Sequence, residues 1–208
     1  METVRIVAVT PPGSMRRVIA GLRKELYVRW GCVSALALPP IIPLGAWPLS
    51  LAPEETAGLL ASCARALRFE LSVLERVAGC LYLTVRCGGL DQLKRDLESA
   101  IRRAGSGKPR EAPRLVPFHH GFFLAGPDLS ASGPELESGI PIPAERRFGA
   151  YDLSVLCVRA HAPLERWWDI VSWEEESAVP VKGSGRPAPG SAARQPRSIT
   201  GGGEAPDQ

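Results

Sequence analysis

The chain has 208 residues, 45% of them hydrophobic, which is enough to bury one sizeable core. Its formal net charge of +3 does not by itself imply a nucleic-acid partner. Residues 175–208 add nothing to that charge, because Lys182, Arg186, Arg194 and Arg197 cancel Glu175, Glu176, Glu204 and Asp207.

The five cysteines, Cys32, Cys63, Cys80, Cys87 and Cys157, are irregularly spaced without a Cys-x-x-Cys pair, so neither a disulfide framework nor a zinc site is indicated. They read as reduced core residues. The N-terminus carries no basic region followed by an apolar signal core, which argues for a cytoplasmic protein. The uncharged run from Val33 to Leu51 is interrupted by Pro39, Pro40, Pro43 and Pro48, which excludes a spanning helix there, and no membrane association is expected.

In chain order, Val4, Ile6, Ala8 and Val9 lie in a β-rich run closed by Pro11-Pro12-Gly13. A helix follows, capped by Ser14, with Val18, Leu22 and Leu26 as its apolar positions. Cys32 to Leu38 reads as a second strand, the prolines after it as an irregular loop, and Pro53-Glu54-Glu55 as the start of a second helix carrying Leu59, Leu60, Cys63 and Leu67. Phe69, Leu71 and Val73 alternate with polar residues, and a turn at Gly79 leads into Leu81, Leu83 and Val85, the pattern of a β-hairpin. Leu90, Leu93, Leu97 and Ile101 stripe a third helix ending near Gly105. A strand then carries two of the three histidines, within Arg114-Leu-Val-Pro-Phe-His-His-Gly-Phe-Phe-Leu-Ala125. The Pro-, Gly- and Ser-rich stretch from Pro127 to Arg147 suits a flap over a site, and the last strand runs through Tyr151, Leu153, Val155 and Cys157. This order is α+β, with helices covering one face of a largely antiparallel sheet. The domain is expected to span residues 1–174, with residues 175–208 as a disordered tail.

With these segments placed, residues 4–159 resemble the 2H phosphoesterase superfamily, which includes bacterial 2′-5′ RNA ligase-like proteins and RNA 2′,3′-cyclic phosphodiesterases. The resemblance implies a bilobal antiparallel sheet, helices on its outer face, and a cleft between two pseudo-symmetric halves. The family carries a His-x-Thr/Ser motif on a strand of each half. One imidazole takes a proton from the nucleophile, the other gives one to the leaving ribose oxygen, and the hydroxyls hold the phosphate oxygens.

Here the first motif reads Cys32-Val33-Ser34, with a thiol in place of the imidazole. The second has two registers, one placing Gly121 and Phe123 at the motif positions and the other His120 and Phe122. The resemblance thus implies His120 and Cys32 as the proton-transfer residues, with Ser34 and His119 binding substrate. Set against these, Cys32 also reads as a small buried filler, Ser34 as an ordinary strand residue, and His120 as a strand-end histidine bonded to backbone. The expected function is a degenerate 2H domain binding a nucleotide, an RNA end or a partner. The alternative is an active phosphoesterase on 2′,3′-cyclic or 2′-5′ RNA ends. No metal or cofactor is expected, a monomer is, and Trp167 and Trp168 are candidates for contacting a protein partner.

Overall fold

The computed structural model describes residues 2–77, 79–104, 121–130, 135–136, 139–140, 143–144, 146–160 and 170–182. The described residues fold into two four-stranded antiparallel sheets and three α-helices. One lobe is built from both ends of the described chain: β1 (Glu2–Thr10), β2 (Ile42–Trp47), β7 (Tyr151–Ala160) and β8 (Ile170–Val181), in the order β2-β1-β7-β8. The other is built from its middle: β3 (Phe69–Val77), β4 (Cys80–Arg86), β5 (Gly121–Ala125) and the short β6 (Arg147–Phe148), in the order β5-β4-β3-β6.

The helices bury the stripes their sequences carry. In α1 (Gly13–Trp30) the buried line is Met15, Ile19, Leu22 and Leu26, and in α3 (Leu90–Arg103) it is Leu90, Leu93, Leu97 and Ile101. In α2 (Pro53–Cys63), Pro53 opens the helix and the Glu55 carboxylate accepts a hydrogen bond from the Ala52 backbone N–H. All three stripes join one apolar cluster with Val7, Val9, Leu153 and Val155 of the first sheet and Leu81, Leu83, Phe122 and Leu124 of the second. Among the described residues no helix is long and apolar enough to cross a membrane.

The sheets touch through their opposite faces as well. Ile6 and Val158 of the first sheet meet Cys80, Tyr82 and Phe123 of the second in a separate buried cluster completed by Leu38. The Tyr82 and Phe123 rings pack edge to face with centroids 5.8 Å apart.

Four sequence expectations change. Ser14 does not cap α1, which begins at Gly13 behind Pro12 without a side-chain cap. The strand expected at Cys32–Leu38 is instead a 3₁₀ turn, Val33–Leu36. Helix α1 runs on to Trp30, Gly31 ends it with φ 64° and donates to the Tyr27 carbonyl, and the chain turns at once through Ala35 N–H to Cys32 O and Ala37 N–H to Ser34 O. The strand, β2, lies inside the proline-rich stretch read as a loop. Pro43 is tolerated because β2 is an edge strand and Pro43 sits opposite Ala8, at the irregularity of the ladder.

The fourth change concerns the end of the fold. β7 is not the last strand: β8 pairs with it from Tyr151↔Val181 to Ala160↔Ile170, so the paired sheet runs past the boundary expected after residue 174. The alternation of β8 is hidden by Glu174-Glu175-Glu176, whose charges protect a sheet edge.

Phe69 is the keystone of the second lobe, 1% exposed, stacked on Phe148 at 4.8 Å and edge-on to Tyr151 at 5.4 Å. Phe69→Ala is expected to cost about 3–5 kcal/mol, read as a lower urea midpoint with unchanged slope.

Candidate functional site

A two-histidine site would need its motif strands to face each other, and β2 and β5 are one pair of strands in contact across the lobes. β2 reads Ile-Pro-Leu-Gly-Ala-Trp and β5 reads Gly-Phe-Phe-Leu-Ala, with neither an imidazole nor a hydroxyl on either strand. Ile42, Leu44, Phe122 and Leu124 are core residues, and Phe123 packs on Tyr82.

Position 121 is closed to any side chain. A Cβ on Gly121 would lie 2.6 Å from the Leu83 carbonyl oxygen and 2.9 Å from the Thr84 Cα, both backbone atoms of β4. In the register that puts Gly121 at the histidine position, an imidazole there would force β5 away from its neighbour.

Cys32 and Ser34 come together, off the strands, beside a residue that the sequence did not single out. Asp128 follows β5 and reaches across to the first lobe. Its Oδ2 accepts from the Ser34 backbone N–H at 3.0 Å, and its Oδ1 accepts from the Ser34 hydroxyl and, at 3.3 Å, from the Cys32 thiol. The Ser34 Oγ also accepts from the Gly126 N–H at 2.5 Å and lies 3.2 Å from the Cys32 sulfur. Cys32 and Ser34 are wholly buried, whereas Asp128 is exposed. The only sequence signal for Asp128 was Gly-Pro-Asp just after a strand, a turn signature that does not reveal a contact 94 residues away.

The electrostatics follow from this arrangement. Burial pushes the Cys32 thiol above its ordinary range; the Ser34 hydrogen bond opposes that, and the Asp128 carboxylate adds to it. Burial would also raise the Asp128 carboxyl, but hydrogen bonds from the Ser34 side chain, the Ser34 backbone and Cys32 outweigh it and hold it below the usual carboxylate range. Cys32 is thus a protonated donor at neutral pH.

Close behind stands Arg23, 3% exposed, its Nε donating to the Ala35 carbonyl at 2.5 Å and its Nη2 without a hydrogen-bond partner among the described residues. Burial pulls its pKa down to about 10.

The connection expected as a flap is anchored where it is described: Leu129, Leu136 and Ile140 are buried in the main core. His119, His120, Trp167 and Trp168 lie outside the described residues. Cys157, Glu174 and Glu176 form a grouping able to hold a metal by distance, but Arg5 engages Glu176 at 2.6 Å and Arg159 engages Glu174 at 3.2 Å. These ion pairs already supply the carboxylates with cations.

Two outcomes follow. Gly121→Ala is expected to destabilise by roughly 1–3 kcal/mol through overpacking against β4, seen in urea unfolding. In the native protein Cys32 should resist iodoacetamide at neutral pH and react only above the ordinary thiol range or on unfolding, with peptide mass spectrometry reading the label.

No family model and no curated protein sequence matches this chain. Solved structures do. Escherichia coli LigT complexed with NADP+ superposes with a TM-score of 0.53 at 17% identity, covering 86% of this chain and 98% of LigT. LigT complexed with 3′-AMP gives 0.53 at 14%, covering 87% and 99%, and its apo form gives 0.51 at 18%, covering 86% and 97%. The likeness establishes the fold: this chain has the two-lobed α+β architecture of LigT, a 2H phosphoesterase.

Proposed function

We propose that the chain is a degenerate 2H-fold domain that binds the phosphate of a nucleotide or RNA end without hydrolysing it. The observation that carries this reading is the composition of β2 and β5, two strands in contact across the lobes, which offer no imidazole and no hydroxyl.

Ring opening of a cyclic phosphodiester needs a base and an acid poised near neutral pH, one on each side of the phosphorus. Cys32 does not meet that need, since its thiol is buried, raised in pKa and already donating to Asp128. A mechanism shared between Cys32 and His120 would require the thiolate, the form that this environment disfavours. What argues for a retained ligand class is the fold itself, because LigT with this architecture has been solved with NADP+ and with 3′-AMP bound.

The test is a paired measurement on the purified chain. An oligonucleotide ending in a 2′,3′-cyclic phosphate should remain intact, and 3′-AMP should bind saturably in calorimetry. Turnover that is lost in His120→Ala would overturn the proposal and establish an active phosphoesterase. Neither turnover nor binding would sink it in favour of a protein partner.

A further inference from the structure

One surface differs from the rest by its composition. The outward line of α1 is Arg17, Ala20, Gly21, Lys24 and Val28, exposed residues at helical spacing opposite the buried line. Tyr27 lies at its edge, one turn after Arg23, whose Nε bonds the Ala35 carbonyl and so sets the 3₁₀ turn Val33–Leu36 beside that flank of the helix. Val33 and Leu36 are three apart in that turn and share its outer side, 64% and 53% exposed, while Ser34 and Ala35 between them are buried. With Tyr27 and Val28 they make four of the seven exposed large hydrophobic residues among those described, all within ten positions. Scattered apolar residues need no explanation, but a contiguous set marks an interaction surface.

The same face carries the chain's positive charge. α1 holds five basic residues, Arg16, Arg17, Arg23, Lys24 and Arg29, and one acidic, Glu25, a balance of +4 against +3 for all 208 residues. The remainder of the chain is therefore slightly acidic. Arg16 and Arg17 stand near the N-terminus of α1, whose first turn has no acidic residue, and the helix dipole disfavours cations there, so they add nothing to the helix itself. Glu25 is engaged by Arg29 at 3.0 Å, and Asp128 by the donors of the turn. Among the described residues, Arg16, Arg17 and Lys24 have no carboxylate partner.

Apolar residues flanked by uncompensated cations fit an occupant that is both apolar and acidic. At the centre of the line stand Ala20 and Gly21, and a Cβ added to Gly21 would meet nothing within 4 Å, so another backbone can approach closely. A face that inserts into lipid would carry large apolar residues at that centre. Val28, Val33 and Leu36 offer aliphatic surface without a ring, whereas nucleic-acid interfaces are polar and hold single strands by stacking. A second copy of this chain, laid antiparallel on Ala20 and Gly21, would set Arg17 against Lys24, like charges that repel.

We propose that the outer face of α1 and the turn Val33–Leu36 form a docking surface for an acidic amphipathic helix of a protein partner. Its apolar stripe covers Val28, Val33 and Leu36, and its carboxylates stand opposite Arg16, Arg17 and Lys24. From Arg17 to Val28 the line is about 17 Å long, which a partner helix of roughly three turns spans. Nucleotide binding is not required for it.

The test is fluorescence anisotropy of a labelled helical peptide of about eighteen residues, with Leu at helical spacing along one side and Glu on both flanks, beside the same peptide with every Glu changed to Gln. The Glu peptide should bind the full chain saturably and weaken as sodium chloride is raised, and the Gln peptide should bind at least about tenfold more weakly. Lys24→Glu and Leu36→Asp, both at exposed positions, should each weaken the Glu peptide roughly tenfold and leave 3′-AMP binding as in the wild type. No saturation with the Glu peptide overturns the proposal, as does binding that a folded Lys24→Glu leaves unchanged. Should Leu36→Asp fail to fold, Lys24→Glu decides alone. Phosphatidylglycerol–phosphatidylcholine vesicles or a single-stranded RNA bound through Lys24, with the peptide unbound, would overturn it in favour of that partner. A chain that binds the Glu peptide through Lys24 but never binds 3′-AMP would uphold this surface and sink the proposed function alone.

Discussion

The pairing of β1 with β7 is the constraint on which the two-lobed structure depends. It joins Glu2 to Ala160 and Thr10 to Asp152 in an unbroken antiparallel register, so the first lobe is assembled from strands that lie on either side of the entire second lobe in sequence. The first sheet cannot be completed until the middle of the chain is out of the way and compact. Such non-local pairing carries a loop-closure cost before it returns any contact energy, which predisposes a fold to slow formation. The return comes from sharing one core: the stripes of α1, α2 and α3 and one face of both sheets enter a single apolar cluster. Tyr151 strengthens the join, its hydroxyl donating to the Arg65 carbonyl at 2.6 Å while its ring packs on Phe69.

Once the lobes are fixed in this way, what lies between them is decided by the side chains on the opposed inner faces. Ile6 and Val158 against Tyr82 and Phe123 make that region a second core. Burial of Tyr82 drives its phenol far above the ordinary range, so it stays neutral and serves as packing. Polar chemistry is displaced to the margin, where Asp128 crosses from one lobe to the other. Because Asp128 is exposed, water screens its charge, and the lasting effect of the network is geometric: it fixes the 3₁₀ turn to the segment after β5.

The elements whose pattern is local could be read from the sequence. The hairpin at Gly79, with φ 82°, and the Leu stripe of α3 needed only alternation, a turn residue and helical spacing. The overall α+β class and the two-lobed layout were legible too, the latter through the family resemblance. The elements set by tertiary context were not. β2 was hidden because its prolines signal a loop, and only its edge position makes Pro43 acceptable. Cys32-Val33-Ser34 looked like a strand motif because Val, Ala and Leu follow it, yet Gly31 and the long α1 leave no room for the chain to extend. β8 was masked by three consecutive glutamates, and Asp128 by its distance in sequence from the residues it holds.

The chemistry open to β5 and the polar network at the turn are separable in this architecture for a steric reason. At position 121 the backbone of β4 lies within 2.6 Å of where a Cβ would stand, so placing an imidazole there demands movement of a paired strand, not just a substitution. The donors at Cys32 and Ser34 are independent of that closure, because they sit on the turn between α1 and β2 and are held by Asp128. Packing against β4 thus constrains chemistry on β5 without constraining the hydrogen-bonded turn. The buried donors of the turn are satisfied by that carboxylate, so the network holds whatever side chain position 121 carries.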